Sequence, residues 1–152
     1  MKRIIALALA AVMALAVFAG CGAKKVDLNE VMSSINSTCG LNLQKLENAE
    51  DLNLYYGINT ADVKQFAAEI DNNNNAPVEI VLVEANDATA AGNIANALNA
   101  RYNSIVNQYA SYTPEKLDAV KACEVKTDGN FVSMIVAENA SDITKVYNDA
   151  VK

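Results

Sequence analysis

The chain has 152 residues, 18 of them acidic and 12 basic, with no histidine and no tryptophan. Without histidine there is no Ser-His-Asp triad, no Cys-His pair and no His-ligated metal. The acidic balance argues against nucleic-acid partners, while abundant Ala, Val, Ile and Leu supply a core and argue against a disordered stalk.

Lys2 and Arg3 precede an apolar run, Ile4–Phe18. It has the length of a secretory signal and falls short of the about 20 apolar residues that a spanning helix needs. Ala19-Gly20-Cys21 follows, with two small residues before a cysteine. The segment resembles a bacterial lipobox, with Phe18 where leucine is usual. That resemblance implies cleavage before Cys21 and transfer of a diacylglyceryl group to its thiol. The organisation expected is a signal peptide over 1–20, a lipidated cysteine with a short tether over 21–25, and a single domain over 26–152. The plainer alternative is ordinary secretion with cleavage near Ala19 and no role for Cys21. Loss of Lys2 and Arg3 leaves 10 basic against 18 acidic residues, a balance of −8. Two acyl chains at about 0.8 kcal/mol per buried methylene hold firmly. Lys24 and Lys25 each add up to about 1 kcal/mol near an anionic membrane.

Asp27 offers an N-cap with Glu30 three residues on, and Leu28, Val31, Met32 and Ile35 repeat at helical spacing. Gly40 is placed to end that helix. Residues 41–59 read as a short helix or turn, then an extended piece through Leu52, Leu54, Tyr55 and Tyr56 that ends at Gly57. Val63–Ile70 fits a helix or a strand equally well. Asp71-Asn72-Asn73-Asn74-Asn75-Ala76-Pro77 reads as a turn or loop. Val78–Ala85 is β-branched and apolar at nearly every position, a strand covered on both faces.

Asn86 or Asp87 caps the longest helix. Its stripe is Ala91, Ile94, Leu98, Tyr102, Ile105 and Tyr109, and asparagines 93, 96, 99, 103 and 107 occupy much of the other side. Thr113-Pro114 opens a short helix to Lys121. Ala122–Lys126 alternates as a strand, Thr127-Asp128-Gly129-Asn130 turns, and Phe131–Ala137 returns. Ser141 or Asp142 caps a closing helix that carries Ile143, Val146, Tyr147 and Val151. The ordering predicts an α+β fold: a small, mainly antiparallel sheet of 3–4 strands with helices packed on it.

Five short motifs carry a family resemblance. They are Tyr56-Gly57-Ile58-Asn59, Glu79-Ile80-Val81-Leu82-Val83, Ala97-Leu98 with Arg101, Tyr112-Thr113-Pro114-Glu115, and Gly129-Asn130-Phe131-Val132. Over roughly residues 26–150 the chain resembles a family of small Firmicutes lipoproteins catalogued as a domain of unknown function. The family carries aspartate where this chain has Asn59. The resemblance implies a single lipid-anchored domain of a monoderm bacterium and assigns no activity.

The candidate chemistry is sparse. Cys39 and Cys123 permit a disulfide in an exported domain, or Cys123 is simply a small buried hydrophobe. Asp71, Asn73 and Asn75 imitate the start of a calcium loop, but Ala76 and Leu82 stand where glycine and glutamate are needed. Arg101 is the only arginine after the signal and suits a bidentate anion contact. Its plainer reading is a snorkelling side chain paired with a nearby acid. Tyr55, Tyr56 and Tyr112, with Tyr102 and Tyr109, offer an aromatic surface, against core packing for the latter two. Glu69, Asp71, Glu79 and Glu84 are too scattered in sequence to nominate an acid–base pair. No catalytic residue, cofactor or metal is assigned.

The expectation is a lipid-anchored protein on the outer face of the bacterial cytoplasmic membrane, held there by Cys21. It acts as a binding or accessory module for a protein or cell-wall partner. The alternatives are a carboxylate- and tyrosine-based hydrolase or small-ligand-binding enzyme, and a structural component of the envelope.

Overall fold

A computed structural model describes residues 25–71 and 78–151. The signal segment, Cys21, Lys24 and the asparagine-rich stretch 72–77 lie outside the described residues. Helix α1 (Leu28–Cys39) begins where the Asp27 carboxylate accepts the Asn29 and Glu30 N–H groups at 2.9 and 3.4 Å. It ends at Gly40, whose φ of 66° is the left-handed conformation glycine adopts without penalty. A two-residue strand, β1 (Gln44–Lys45), leads to helix α2 (Ala49–Tyr56).

The extended piece expected over Leu52–Tyr56 is therefore helical. Asn48 starts it, its N–H bonding the Asp51 carboxylate at 3.2 Å. Leu52 and Tyr56, four apart, bury on one side while Leu54 and Tyr55 face water. Alternation of apolar and polar residues misled the reading because this helix buries only two side chains. Gly57 closes it at φ 69°.

A single turn of 3-10 helix (Thr60–Asp62) enters β2 (Val63–Ile70), so the open choice over this segment resolves to a strand. A bulge at Lys64 puts Val63 on the same face as Phe66, Ala68 and Ile70, which explains the ambiguous spacing. Strand β3 (Glu79–Ala85) is followed by α3 (Ala88–Tyr112), capped by the Asp87 carboxylate on the Ala90 N–H at 2.8 Å. The stripe holds: Ala91, Ile94, Leu98 and Ile105 are buried, Tyr102 and Tyr109 are half-buried, and the five asparagines are exposed. A 3-10 turn (Pro114–Lys116) and α4 (Leu117–Lys121) lead to β4 (Glu124–Asp128), β5 (Phe131–Val136) and α5 (Ala140–Val151). Strand β4 starts two residues later than expected, because the Cys123 N–H still closes the helical turn on the Val120 carbonyl.

The fold is α+β. Among the described residues its sheet has five strands rather than three or four, in the order β1-β2-β3-β5-β4, with every neighbour antiparallel. Counting β1 as a short edge and residues 63–70 as a strand accounts for the difference. Helices cover both faces. Val81, Val83, Ala85, Val132, Met134 and Val136 pack under α2, α3 and α4. Ile80, Leu82 and Ile135 pack under α1 and α5. This double cover is why β3 reads as nearly continuous apolar sequence.

Cys39 and Cys123 are free thiols on opposite sides of the sheet, which excludes the disulfide. Cys123 is the small buried hydrophobe of the alternative reading, its Sγ against the Ala119 and Ala137 carbonyls.

Candidate functional site

Antiparallel pairing puts Glu79, Val81, Val83 and Ala85 on the α3 side of the sheet. Arg101 stands midway along α3, above the start of β3. Its Nε donates to Glu79 Oε2 at 3.1 Å and its Nη2 donates to Glu79 Oε1, a two-pronged contact. The Glu79 side chain is 15% exposed and the Arg101 side chain 34%. Hydrogen bonding to Glu79 raises the arginine's pKa further against the opposing effect of burial. Arg101 is thus the paired arginine of the plainer reading. Its partner was among the acids judged too scattered, since a separation of 22 residues closes only through the strand–helix crossing.

Tyrosines gather around this pair. Tyr56 is 6% exposed, and its hydroxyl lies near Glu79 without a well-formed hydrogen bond. Burial, then the Glu79 charge, push its pKa well above the ordinary value. Burial with Glu79 and Asp71 likewise raises Tyr109. Tyr55 packs its ring 6.3 Å from that of Tyr56 and stays 46% exposed. Beside it Leu54 is 77% exposed. Tyr112 sits at the far end of α3, three turns beyond Arg101 and 84% exposed. The structure therefore brings Arg101, Tyr55 and Tyr56 together and leaves Tyr112 apart. Tyr102 belongs to the core, its hydroxyl donating to the Val120 carbonyl at 3.0 Å.

A family model described as a domain of unknown function, DUF4358, matches residues 36–137. The chain belongs to this family. No curated protein and no solved structure matches it. The DUF4358 match takes in all five strands and α2, α3 and α4, and hence the whole Glu79–Arg101–Tyr56 cluster. Most of α1 and all of α5, which cover the other face, lie outside it.

Asn59 serves as the cap of the turn at Thr60–Asp62, its Oδ1 accepting the Ala61 N–H at 3.1 Å. An aspartate accepts that bond equally well, so the side-chain change leaves the local fold intact. Within the DUF4358 region the chemistry available at the cluster is positional. Both oxygens of Glu79 accept from one guanidinium, which fixes the position of the carboxylate. Among the described residues no three His, Cys, Asp or Glu side chains gather to hold a metal. Of the imitation calcium loop, Asp71 is described and residues 72–77 are not.

The other end of the sheet carries a second polar knot that sequence reasoning missed. Gln65 Nε2 donates to the Val26 carbonyl at 2.8 Å and to Glu84 Oε2, and its Oε1 accepts the Leu28 N–H at 3.1 Å. Lys64 pairs with Glu84 at 2.6 Å. Burial works to raise the Glu84 pKa, but the bonds from Gln65 and Lys64 prevail and hold it below its ordinary value. This knot ties the entry of α1 to the sheet. Gln65 meets partners 19 to 39 residues away in sequence, so the chain gives no local hint of the knot.

Proposed function

We propose that this DUF4358 protein is an extracytoplasmic bacterial lipoprotein, anchored through a diacylglyceryl group on Cys21 and working as a non-enzymatic binding or accessory module of the cell envelope. Its signal segment and Ala19-Gly20-Cys21 support the anchor. Among the described residues no helix is long and apolar enough to cross a membrane. One observation carries the binding reading. Helix α2 offers Leu54 and Tyr55 to water, 77% and 46% exposed, and Tyr55 packs on Tyr56, which reaches the Glu79–Arg101 pair. Adjacent large apolar groups next to oriented polar ones suit a contact surface.

The tether sets where that surface points. Cys21 to Val26 spans at most about 17 Å when fully extended, and Val26 is bonded to Gln65 near the start of β2. Glu79 lies at the opposite end of the sheet, paired across from Ile70. The cluster then faces away from the bilayer, toward the wall.

A photo-crosslinking residue placed at Leu54 in cells tests this reading, with one at exposed Ser34 on the opposite helical layer as control. A discrete adduct at Leu54 and none at Ser34 supports it. No adduct at either position, under several growth conditions, contradicts the binding role.

A further inference from the structure

Between α1 and the β1–β2 edge lies a cavity of about 90 Å³, lined by Asn29, Met32 and Ser33 of α1, Lys45 of β1 and residues 67–69 of β2. Glu69 is 7% exposed, the most deeply placed carboxylate among the described residues. A buried carboxylate calls for a cation or a full set of hydrogen bonds. Glu69 has one partner side chain, the Asn36 amide, whose Nδ2 donates to its two oxygens at 3.1 and 2.9 Å. No lysine or arginine of the described residues pairs with it.

Lys45 makes that gap informative. It stands directly across from Glu69 in the strand register and lines the same cavity, yet its ammonium turns outward to Glu47 at 3.4 Å. Asn36 Oδ1 is buried with no hydrogen-bond partner. Asn29, Met32, Ser33 and Asn36 fall on one face of α1, so these acceptors share the cavity's side of the helix.

From this geometry we infer that the cavity is a binding site for a primary ammonium group carried on an alkyl chain. Its volume equals that of roughly three waters, enough for an ammonium head and its first methylenes. The ammonium's N–H donors meet the Glu69 carboxylate and the side-chain oxygens of Asn29 and Ser33, all of which line the cavity. Met32 and Ala67 suit the methylenes. A calcium ion asks for about six to eight oxygens, and this lining supplies one carboxylate. The site is independent of the Cys21 anchor and of the Leu54 surface. Its ligand is either a free alkylamine or an amine borne on a peptide.

The test is NMR titration of the mature full-length chain, following the Asn36 side-chain amide. The probes are n-butylammonium and Nα-acetyl-lysine amide, with butanol, sodium and calcium chloride as controls. Saturable shifts with either amine and none with the controls support the site. A response confined to the lysine amide points to a peptide-borne amine, and one confined to butylammonium points to a free amine. Lys45→Ala removes the internal competitor and tightens binding severalfold, whereas Glu69→Gln abolishes saturation. Lys45 is half-exposed, so its variant keeps the fold in question intact. No saturable shift in the Lys45→Ala protein, unchanged binding in Glu69→Gln, or equal shifts from sodium or calcium alone overturns the proposal.

Discussion

Replacing Arg101 with alanine cuts the tie between α3 and the start of β3 and leaves Glu79, its side chain 15% exposed, without its cation. Exposed ion pairs contribute up to about 1 kcal/mol, and breaking a fully buried pair costs about 3–5 kcal/mol. This pair lies between those limits, with two parallel hydrogen bonds and one partner a third exposed. Arg101→Ala therefore costs about 2 kcal/mol, between the exposed and buried limits. Glu79→Gln costs about 1 kcal/mol, because the amide oxygen keeps one bond. The double variant recovers about 1 kcal/mol of the summed losses, the coupling expected of contacting residues. Urea unfolding of the single and double variants measures all three values. At about 3–4 °C per kcal/mol for a domain of this size, Arg101→Ala lowers Tm by about 6–8 °C. High salt leaves most of the effect in place, since screening is weak for a half-buried pair. A coupling under about 0.3 kcal/mol, the ordinary error of additivity, refutes the view that this pair fixes the cluster.

Four further outcomes follow from the same physics. Gly57→Ala meets no neighbouring atom but must hold φ near +69°, so it destabilises by about 1–2 kcal/mol through backbone strain alone; Asp87→Ala, which removes the cap of α3, costs about 1 kcal/mol, and thermal melts read both. Burial chiefly, partly offset by the Ser133 hydrogen bond, pushes the Tyr147 pKa up to about 12 from 10.0. The folded state therefore keeps its proton where the unfolded state has lost it. The Tyr147 contribution is intact below pH 10 and lost as pH rises toward 12; Tyr147→Phe flattens that alkaline limb in pH-dependent unfolding, and an unchanged limb contradicts the assignment. Under non-reducing conditions Cys39 and Cys123 stay free thiols in the folded protein, with half-buried Cys39 alkylated before buried Cys123; a disulfide between them in the mass spectrum contradicts the structure.

Local rules carried much of the fold. The Asp27 cap, the Leu28-Val31-Met32-Ile35 face and Gly40 mark α1 from start to stop, and the stripe from Ala91 to Tyr109 marks α3, because each signal lies within a few residues of what it governs. Helix α2 escaped because its burial rests on Leu52 and Tyr56 alone, while Leu54 and Tyr55 break the helical pattern from the exposed side. Val63–Ile70 stayed ambiguous because a bulge shifts the strand's phase. The site was harder still. Arg101 and Tyr56 drew notice as residue types, but Glu79 and Glu69 acquire their meaning from partners 22 and 33 residues away. Strand register and helix docking decide those meetings, and neither leaves a local trace.

The proposal that this protein is a lipid-anchored envelope module is tested most directly by intact mass spectrometry of the protein extracted from membranes. The account predicts a chain that begins at Cys21 and carries a diacylglyceryl group, with Cys21→Ala abolishing both the added mass and the membrane association. An unlipidated chain cut near Ala19, or one that retains residues 1–20, contradicts it.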